Sequence, residues 1–515
     1  MLELPIGFQK QMKEMLGSEY DGFVKSLEVK PNTTIRINPF KYNPETSSHP
    51  FIRGISTCTQ DILWCNLGYS LESRPEFVLD PLYHAGCYYP QESSSMFITQ
   101  FLLDLDPNKP LKVLDLCAAP GGKSTLLLSY LPKDSLLVSN EIDPLRARIL
   151  KDNLIRFGSA SSVVTSNKVE DFAPFHEFFD LILVDAPCSG EGMMAKEDEA
   201  IRQWSPELIA SCARTQKQIT NHIWNCLAVG GRMIYSTCTY NRQENEEVVE
   251  SILENNKAEL FGLAFGGTKS PRQPAVATPH EGNSMNQIKS FEPNQYHFFS
   301  HRAGGLGFFA AGITKKESNG IIEANNIGTK FKGKDPLYFK SFLPEPKFRL
   351  NPELYETVAR DNALYNIPKL WKSEIVELLK NLKVIKFGVE IGQWKGADWF
   401  PSHELALSYD FQSEGLFQKD KAPQVNRHSG LDPESPTTEV ESSNKTHPKI
   451  DLNYIQAISY LKKEAIEFEE IHSQAENDKP YWALATFQNQ TLGWFKVIQG
   501  KPKNYLPTDR RIRQN

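Results

Sequence analysis

The chain has 515 residues, 40% hydrophobic and 11% aromatic, and its 57 Lys and Arg against 63 Asp and Glu give a net charge of -6. That length exceeds what one core organises, so two to four domains are expected, and the acidic balance argues against a general polyanion sponge while allowing a local basic patch. Eight cysteines at irregular spacing, with Cys117 and Cys226 inside apolar stretches, do not form a disulfide framework and fit a reducing compartment. The start, Met1 to Phe8, has no basic region followed by an apolar run, and no apolar stretch reaches about 18 residues, so a soluble cytoplasmic protein is expected.

Residues 1–95 mix a short helical pattern with strand-like pieces, Thr34–Asn38 and Phe77–Leu79, and read as a small α+β lead-in module. A helix is predicted over Met96–Leu103, with Ser94 or Ser95 as its cap. From Lys112 the pattern becomes strand, loop, helix, repeated. Strands are predicted at Val113–Leu116, Leu136–Asn140, Phe179–Val184 and Arg232–Tyr235, and helices at Lys123–Leu131, Pro144–Phe157 and Glu207–Leu227. Short, nearly all-apolar strands between amphipathic helices mean a mostly parallel sheet covered on both faces. Phe308–Ile313 reads as a late strand closing this domain, which spans 96–315.

Residues 316–336, rich in Lys, Asn and Gly, read as a linker. An intermediate α+β domain follows over 337–410, with a helix at Trp371–Leu382 and a strand at Val384–Gly388. The stretch 418–449 lacks periodic apolar residues and is expected to be a disordered insertion. A compact tail, 451–515, carries strand patterns at Trp482–Phe487 and Leu492–Val497.

Three features carry chemistry. The first predicted strand ends near Asp115 in Leu-Cys-Ala-Ala-Pro-Gly-Gly-Lys, residues 116–123. Gly121 and Gly122 admit close backbone approach to a ligand at a helix start, but the spacing matches neither the dinucleotide fingerprint nor a Walker loop. An acid at the end of the second strand would hold ribose hydroxyls, and Glu141 is that acid with Asp143 in reserve. Asp185 ends an apolar strand, Cys188 follows in Asp-Ala-Pro-Cys-Ser-Gly, and Cys238 follows the next strand in Ser-Thr-Cys-Thr. Both thiols can converge on one crevice and point to covalent chemistry. Either cysteine alone reads equally as a small buried hydrophobe. The spacing lacks the close pairs of a zinc site, so no metal is expected.

With these motifs the chain resembles the Nop2/Sun family of RNA cytosine-5 methyltransferases, most closely the bacterial 16S ribosomal RNA branch with a C-terminal PUA-like module. The matching segments are 86–96, 114–123, 140–150, 180–192, 231–247 and 301–315. The resemblance implies a Rossmann-like S-adenosylmethionine-dependent core, an N-terminal RNA-binding module and a PUA-like module at 451–515. It implies that Cys238 adds to C6 of the cytosine, that Cys188 assists proton loss and release, that Asp185 bonds the pyrimidine near N3, and that Lys123 orients this network. S-adenosylmethionine would be held by Cys117, Ala118, Ala119, Pro120, Gly121, Gly122, Lys123, Glu141, Arg146 and Asp185. The substrate side would include Arg36, Asn38, Gln91, Glu92, Ser94 and Ser95, although a helix start and an ordinary strand read as well there.

Two departures from the family pattern stand out. Where an acid commonly follows the third strand, this chain has Asn167 and Lys168, so Asn167 becomes the candidate for the adenine amino group. The late motif reads Gly305-Leu306-Gly307-Phe308-Phe309 and lacks its usual acid. Lys496, Lys501, Lys503, Arg510, Arg511 and Arg513 gather in the last twenty residues, a cluster suited to RNA phosphates or simply a solvated tail. Trp482 and Trp494 read as core of a small β module. The expected partner is RNA, 16S ribosomal RNA or a small-subunit particle, met by a monomer. A transfer RNA methyltransferase and a ribosome assembly factor acting by RNA binding are the alternatives.

Overall fold

A computed structural model describes residues 3–42, 58–59, 62–263, 288–289, 291–319, 346–396, 398–412, 448–468 and 479–513. Most of the expected linker and of the 418–449 insertion lies outside these residues.

The central sheet contains eight strands that position the site. They are β1 (Lys112–Asp115), β2 (Leu136–Asn140), β3 (Ser162–Thr165), β4 (Phe179–Asp185), β5 (Leu227–Thr237), β6 (Gln295–Phe298), β7 (Phe308–Lys315) and β8 (Val384–Phe387). They lie side by side in the order β6-β7-β5-β4-β1-β2-β3-β8, and Ile288–Lys289 adds a short edge beyond β6. The five strands β1 to β5 pair in parallel, whereas β7 runs antiparallel to β5 and β8 antiparallel to β3. The chain goes one way from β1 through β3 and the other way through β4 and β5. A ligand crevice therefore opens at the carboxyl ends of β1 and β4, where the order reverses.

The strands are apolar on both faces because both are covered, and every residue of β2 and β3 is buried. Helices α1 (Gly122–Tyr130), α2 (Pro144–Phe157) and α3 (Pro206–Trp224) supply the cover. The expected boundaries shift where context overrides the local pattern. Strand β5 is longer than Arg232–Tyr235 because pairing continues on both sides of Gly230-Gly231: Phe179 faces Leu227, and Leu181 faces Arg232. The helix expected at Met96–Leu103 is a run of 3-10 turns over Ser94–Leu102. Its start is held by Glu92, whose Oε2 accepts the Ser95 amide at 3.0 Å, rather than by a serine cap.

Around this sheet sit smaller units. Helices Ile6–Leu16 and Tyr20–Leu27 precede a four-stranded sheet built on Thr33–Ile37. Phe8, Met12, Phe23 and Leu27 of those helices share a core with Met194, Tyr240 and Phe299, which places the N-terminal helices against the Cys238 turn. Strands Tyr355–Arg360, Ala363–Pro368, Val389–Lys395 and Asp398–Pro401 form a separate sheet, while β8, from the same stretch of chain, joins the central one. The tail forms strands Lys449–Asp451, Tyr481–Phe487, Gln490–Ile498 and Lys501–Asn504. Trp482 and Trp494, expected in the core of a small β module, are buried instead in a cluster that the tail shares with Leu364, Val389, Ile391 and Trp399 of the separate sheet, and their indole N–H groups donate to Trp399 O and Ser402 O.

Candidate active site

The loop after β1 is braced from beneath. The Ala118 amide donates to Asn140 O at 2.8 Å, Arg146 donates to Ala119 O at 3.0 Å, and Asn153 donates to Pro120 O at 2.6 Å. Gly121 has φ +112, a backbone conformation that disfavours any side chain. Gly122 is under no such constraint, since a Cβ there would meet Tyr89 at an ordinary 3.4 Å. Any need for glycine at position 122 comes from a ligand, not from the fold.

Two acids flank this loop. Glu141, 3% exposed, accepts the Asp143 amide at 3.0 Å and lies 3.4 Å from Arg146. Asp143 instead caps α2 through the Leu145 and Arg146 amides, which accounts for the reserve candidate. Asp115 is fully buried; its Oδ2 accepts Ser124 Oγ at 2.6 Å, and its Oδ1 has no partner among the described residues. Burial pushes its carboxyl up to about 7 even though the Ser124 hydrogen bond pulls the other way.

A carboxyl raised by folding stabilises the fold most below its unfolded pKa, near 3.8, and that contribution is lost as pH rises through about 7. The thermal midpoint of Asp115→Asn, relative to the parent, should therefore rise between about pH 5 and about pH 8. A midpoint difference that stays constant over that range would remove Asp115 as the titrating group.

At the ends of β4 and β5 the predicted catalytic groups come together. Lys123 Nζ donates to Asp185 Oδ2 at 2.8 Å, and Ser236 Oγ donates to Asp185 Oδ1 at 2.9 Å. Burial works against the Lys123 charge, but the Asp185 charge and hydrogen bond outweigh it and hold the ammonium above its usual range. The sulfurs of Cys188 and Cys238 are 3.1 Å apart as free thiols, and the Cys238 amide points at the Cys188 sulfur at 3.4 Å. The hydrogen bond to Cys238, with burial and the Cys238 charge added, pushes the Cys188 thiol well up. Cys117, on the loop, is pushed up by burial and by the nearby Asp115, Asp185 and Glu141.

The expected substrate-side residues are placed differently. Arg36 is 1% exposed and donates to Gln91 Oε1 at 2.8 Å, Ser129 Oγ at 2.8 Å and Thr125 Oγ1 at 2.6 Å. Asn38, equally buried, donates to Gly86 O and Phe157 O. Both are ties between the N-terminal sheet and the central domain. Gln91 and Ser94 are also buried. Glu92 gathers the hydroxyl of Ser94 at 2.5 Å and the amide of Leu306 at 2.9 Å. It therefore brings a carboxylate to the late motif, which has no acid of its own. The Asn167 side chain accepts the Lys383 amide at 3.0 Å and donates to Lys383 O, and so ties the loop after β3 to the residue just before β8.

Sequence reasoning missed two buried carboxylates, Glu191 and Glu244. Glu244 accepts the Ser189 amide at 2.9 Å and Asn241 Nδ2 at 2.7 Å, fastening the Cys188 loop to the Cys238 turn. Of the acids in Asn241–Glu247, Glu244 and Glu246 are buried and Glu247 is half-buried, a difference that nothing in the local pattern displays.

Residues 102–313 match the family described as 16S rRNA methyltransferase RsmB/F. Residues 4–93 match the N-terminal domain of 16S rRNA methyltransferase RsmF, and 447–512 its PUA domain. Ribosomal RNA small subunit methyltransferase F of Salmonella heidelberg is 36% identical over 420 residues, covering 78% of this chain and 83% of the relative. The chain belongs to the 16S rRNA methyltransferase RsmB/F family. The enzyme of the same name from Erwinia tasmaniensis is 30% identical over 440 residues, 80% of this chain and 85% of that one. A methyltransferase homologue from Pyrococcus horikoshii with a crystal structure is 25% identical, with a TM-score of 0.50 over 61% of this chain and 96% of its own.

As an RsmB/F methyltransferase the protein uses S-adenosylmethionine, and the loop fits it. A buried acceptor without a partner at Asp115, a buried acid at the end of β2 and a loop shaped by Gly121 suit a ligand carrying positive charge and ribose hydroxyls. The basic tail of this RsmB/F member is partly spent on the fold. Arg510 pairs with Asp152 at 2.6 Å and Lys496 stacks over Phe400, leaving Lys501, Lys503, Arg511 and Arg513 exposed. Among the described residues no helix is long and apolar enough to cross a membrane.

Proposed function

We propose that this rRNA methyltransferase modifies C5 of a cytosine in 16S rRNA, with Cys238 as nucleophile and Cys188 as the releasing group. The approach of the two sulfurs to 3.1 Å, beside the Lys123–Asp185 pair, carries the reading. The target base must leave its helix or lie in a loop to reach this crevice. S-adenosylmethionine, held by the loop 117–122, Glu141 and Arg146, supplies an electrophilic methyl group.

Cys238 bonds to C6, and the ring electrons displaced by that bond make C5 nucleophilic enough to take the methyl. Asp185, fixed by Lys123 and Ser236, accepts from the pyrimidine edge near N3 and stabilises the charge pattern of the adduct. The next step needs a base for the C5 proton. The Cys188 sulfur, 3.1 Å from the Cys238 sulfur, is placed to take that proton as a thiolate, its own proton having passed to solvent. Loss of the C5 proton then lets the C6–S bond break and restores the ring.

The exposed Lys501, Lys503, Arg511 and Arg513 supply phosphate contacts, and the enzyme works as a cytoplasmic monomer on the small-subunit RNA. Bisulfite sequencing of cellular RNA with and without the gene tests the substrate. One cytosine of 16S rRNA is expected to lose its protection. Unchanged 16S rRNA together with a lost 5-methylcytosine in transfer RNA would reassign the target.

A further inference from the structure

Glu191 stands three residues beyond Cys188, is fully buried, and has no part in the chemistry above. Five neutral donors converge on it. Oε2 accepts Thr239 Oγ1 at 2.7 Å and the amides of Tyr240 and Asn241 at 2.9 Å each. Oε1 accepts Gln11 Nε2 at 3.0 Å and Trp204 Nε1 at 2.9 Å. The inner oxygen therefore holds the three residues that directly follow Cys238. The outer oxygen reaches the N-terminal helix Ile6–Leu16 through Gln11. Next to it, the Gly192 amide donates to Cys238 O at 2.9 Å, and a Cβ at Gly192 would crowd the same oxygen at 2.9 Å.

We propose that Glu191 is the positioning residue that aims the Cys238 sulfur, and that Gln11 makes the N-terminal helix part of this mount. The inference rests on the reading of Cys238 as nucleophile. The residues after Cys238 leave β5 and have no ladder of their own, so their amides and hydroxyl need an acceptor from elsewhere. A carboxylate accepts on both oxygens; a carboxamide does not. Glu191→Gln keeps the size but turns an NH2 group toward either the Cys238 turn or Trp204, whose N–H cannot reverse its role.

The test compares the rate of the covalent protein–RNA adduct in Cys188→Ala with that in Cys188→Ala/Glu191→Gln, beside equilibrium binding of S-adenosylmethionine. The adduct should form about 10- to 100-fold more slowly, because attack falls steeply with small displacements, while cofactor affinity stays within about twofold. Gln11→Ala, which removes one outer donor, should slow the adduct about threefold at unchanged cofactor affinity. Equal adduct rates with Glu and Gln at 191 overturn the proposal. A parallel loss of cofactor binding overturns it too, since Glu191 would then serve the fold in general. If Glu191→Gln does not fold, unchanged adduct rates in both Gln11→Ala and Trp204→Phe overturn it. Absence of an adduct in Cys188→Ala itself, with Glu191 intact, overturns the order of the thiols and this inference with it.

Discussion

Cys238→Ala should abolish transfer of labelled methyl from S-adenosylmethionine to RNA, by about 10,000-fold or more, because the unactivated C5 of cytosine has no other route to react. Cys188→Ala should behave differently. With Cys238 intact the ring is still attacked, but no thiol stands 3.1 Å away to assist release, so a protein–RNA adduct should accumulate and survive denaturing electrophoresis. The pair of outcomes ranks the thiols. An adduct from Cys238→Ala instead of Cys188→Ala would reverse their order, and undiminished transfer in Cys238→Ala would remove it as the nucleophile. Because the two sulfurs stand 3.1 Å apart and Cys188 acts only after Cys238 has attacked, the two residues are one unit, and the double variant should be no worse than Cys238→Ala alone.

Arg36→Ala should lower stability by about 3 to 5 kcal/mol, the range for breaking a buried charged hydrogen-bond network. Gln91, Ser129 and Thr125 would each lose a donor in a site that water does not reach. Burial already pulls the guanidinium down to about 10, and these hydrogen bonds help to hold the charge there. Thermal or denaturant unfolding measures the effect. At temperatures where the variant is folded, its KM for RNA should match the parent. A stable variant with a raised KM would return Arg36 to the RNA-binding surface.

The site was readable to different depths. Asp185, Cys188 and Cys238 each follow an apolar run of parallel-strand type, and the carboxyl ends of such strands are where α/β sheets bind ligands, so local pattern sufficed to bring them together. Ranking the thiols took the family resemblance, and the coupling of their protons took coordinates. The burial of Arg36 and Asn38 was not legible, because a polar residue in an amphipathic strand looks the same whether its outer face meets water or another domain. The Lys383 contacts of Asn167 were not legible either, because β8, more than two hundred residues later, pairs with β3. Glu92, from a distant segment, accepts the Leu306 amide of the late motif, a contact that no spacing displays.

The sequence by itself determined the parallel α/β core, the glycine-containing cofactor loop, the acid after β2 and the pair of thiols. These depend on strand-length hydrophobic runs and on the residues at their ends, which are properties of contiguous chain. Only the tertiary structure decided which polar residues are structural, and that Glu191 and Glu244 brace the reacting loops. Burial and hydrogen-bond partnership arise between segments far apart in sequence, and for a buried carboxylate they alone separate a brace from a surface charge.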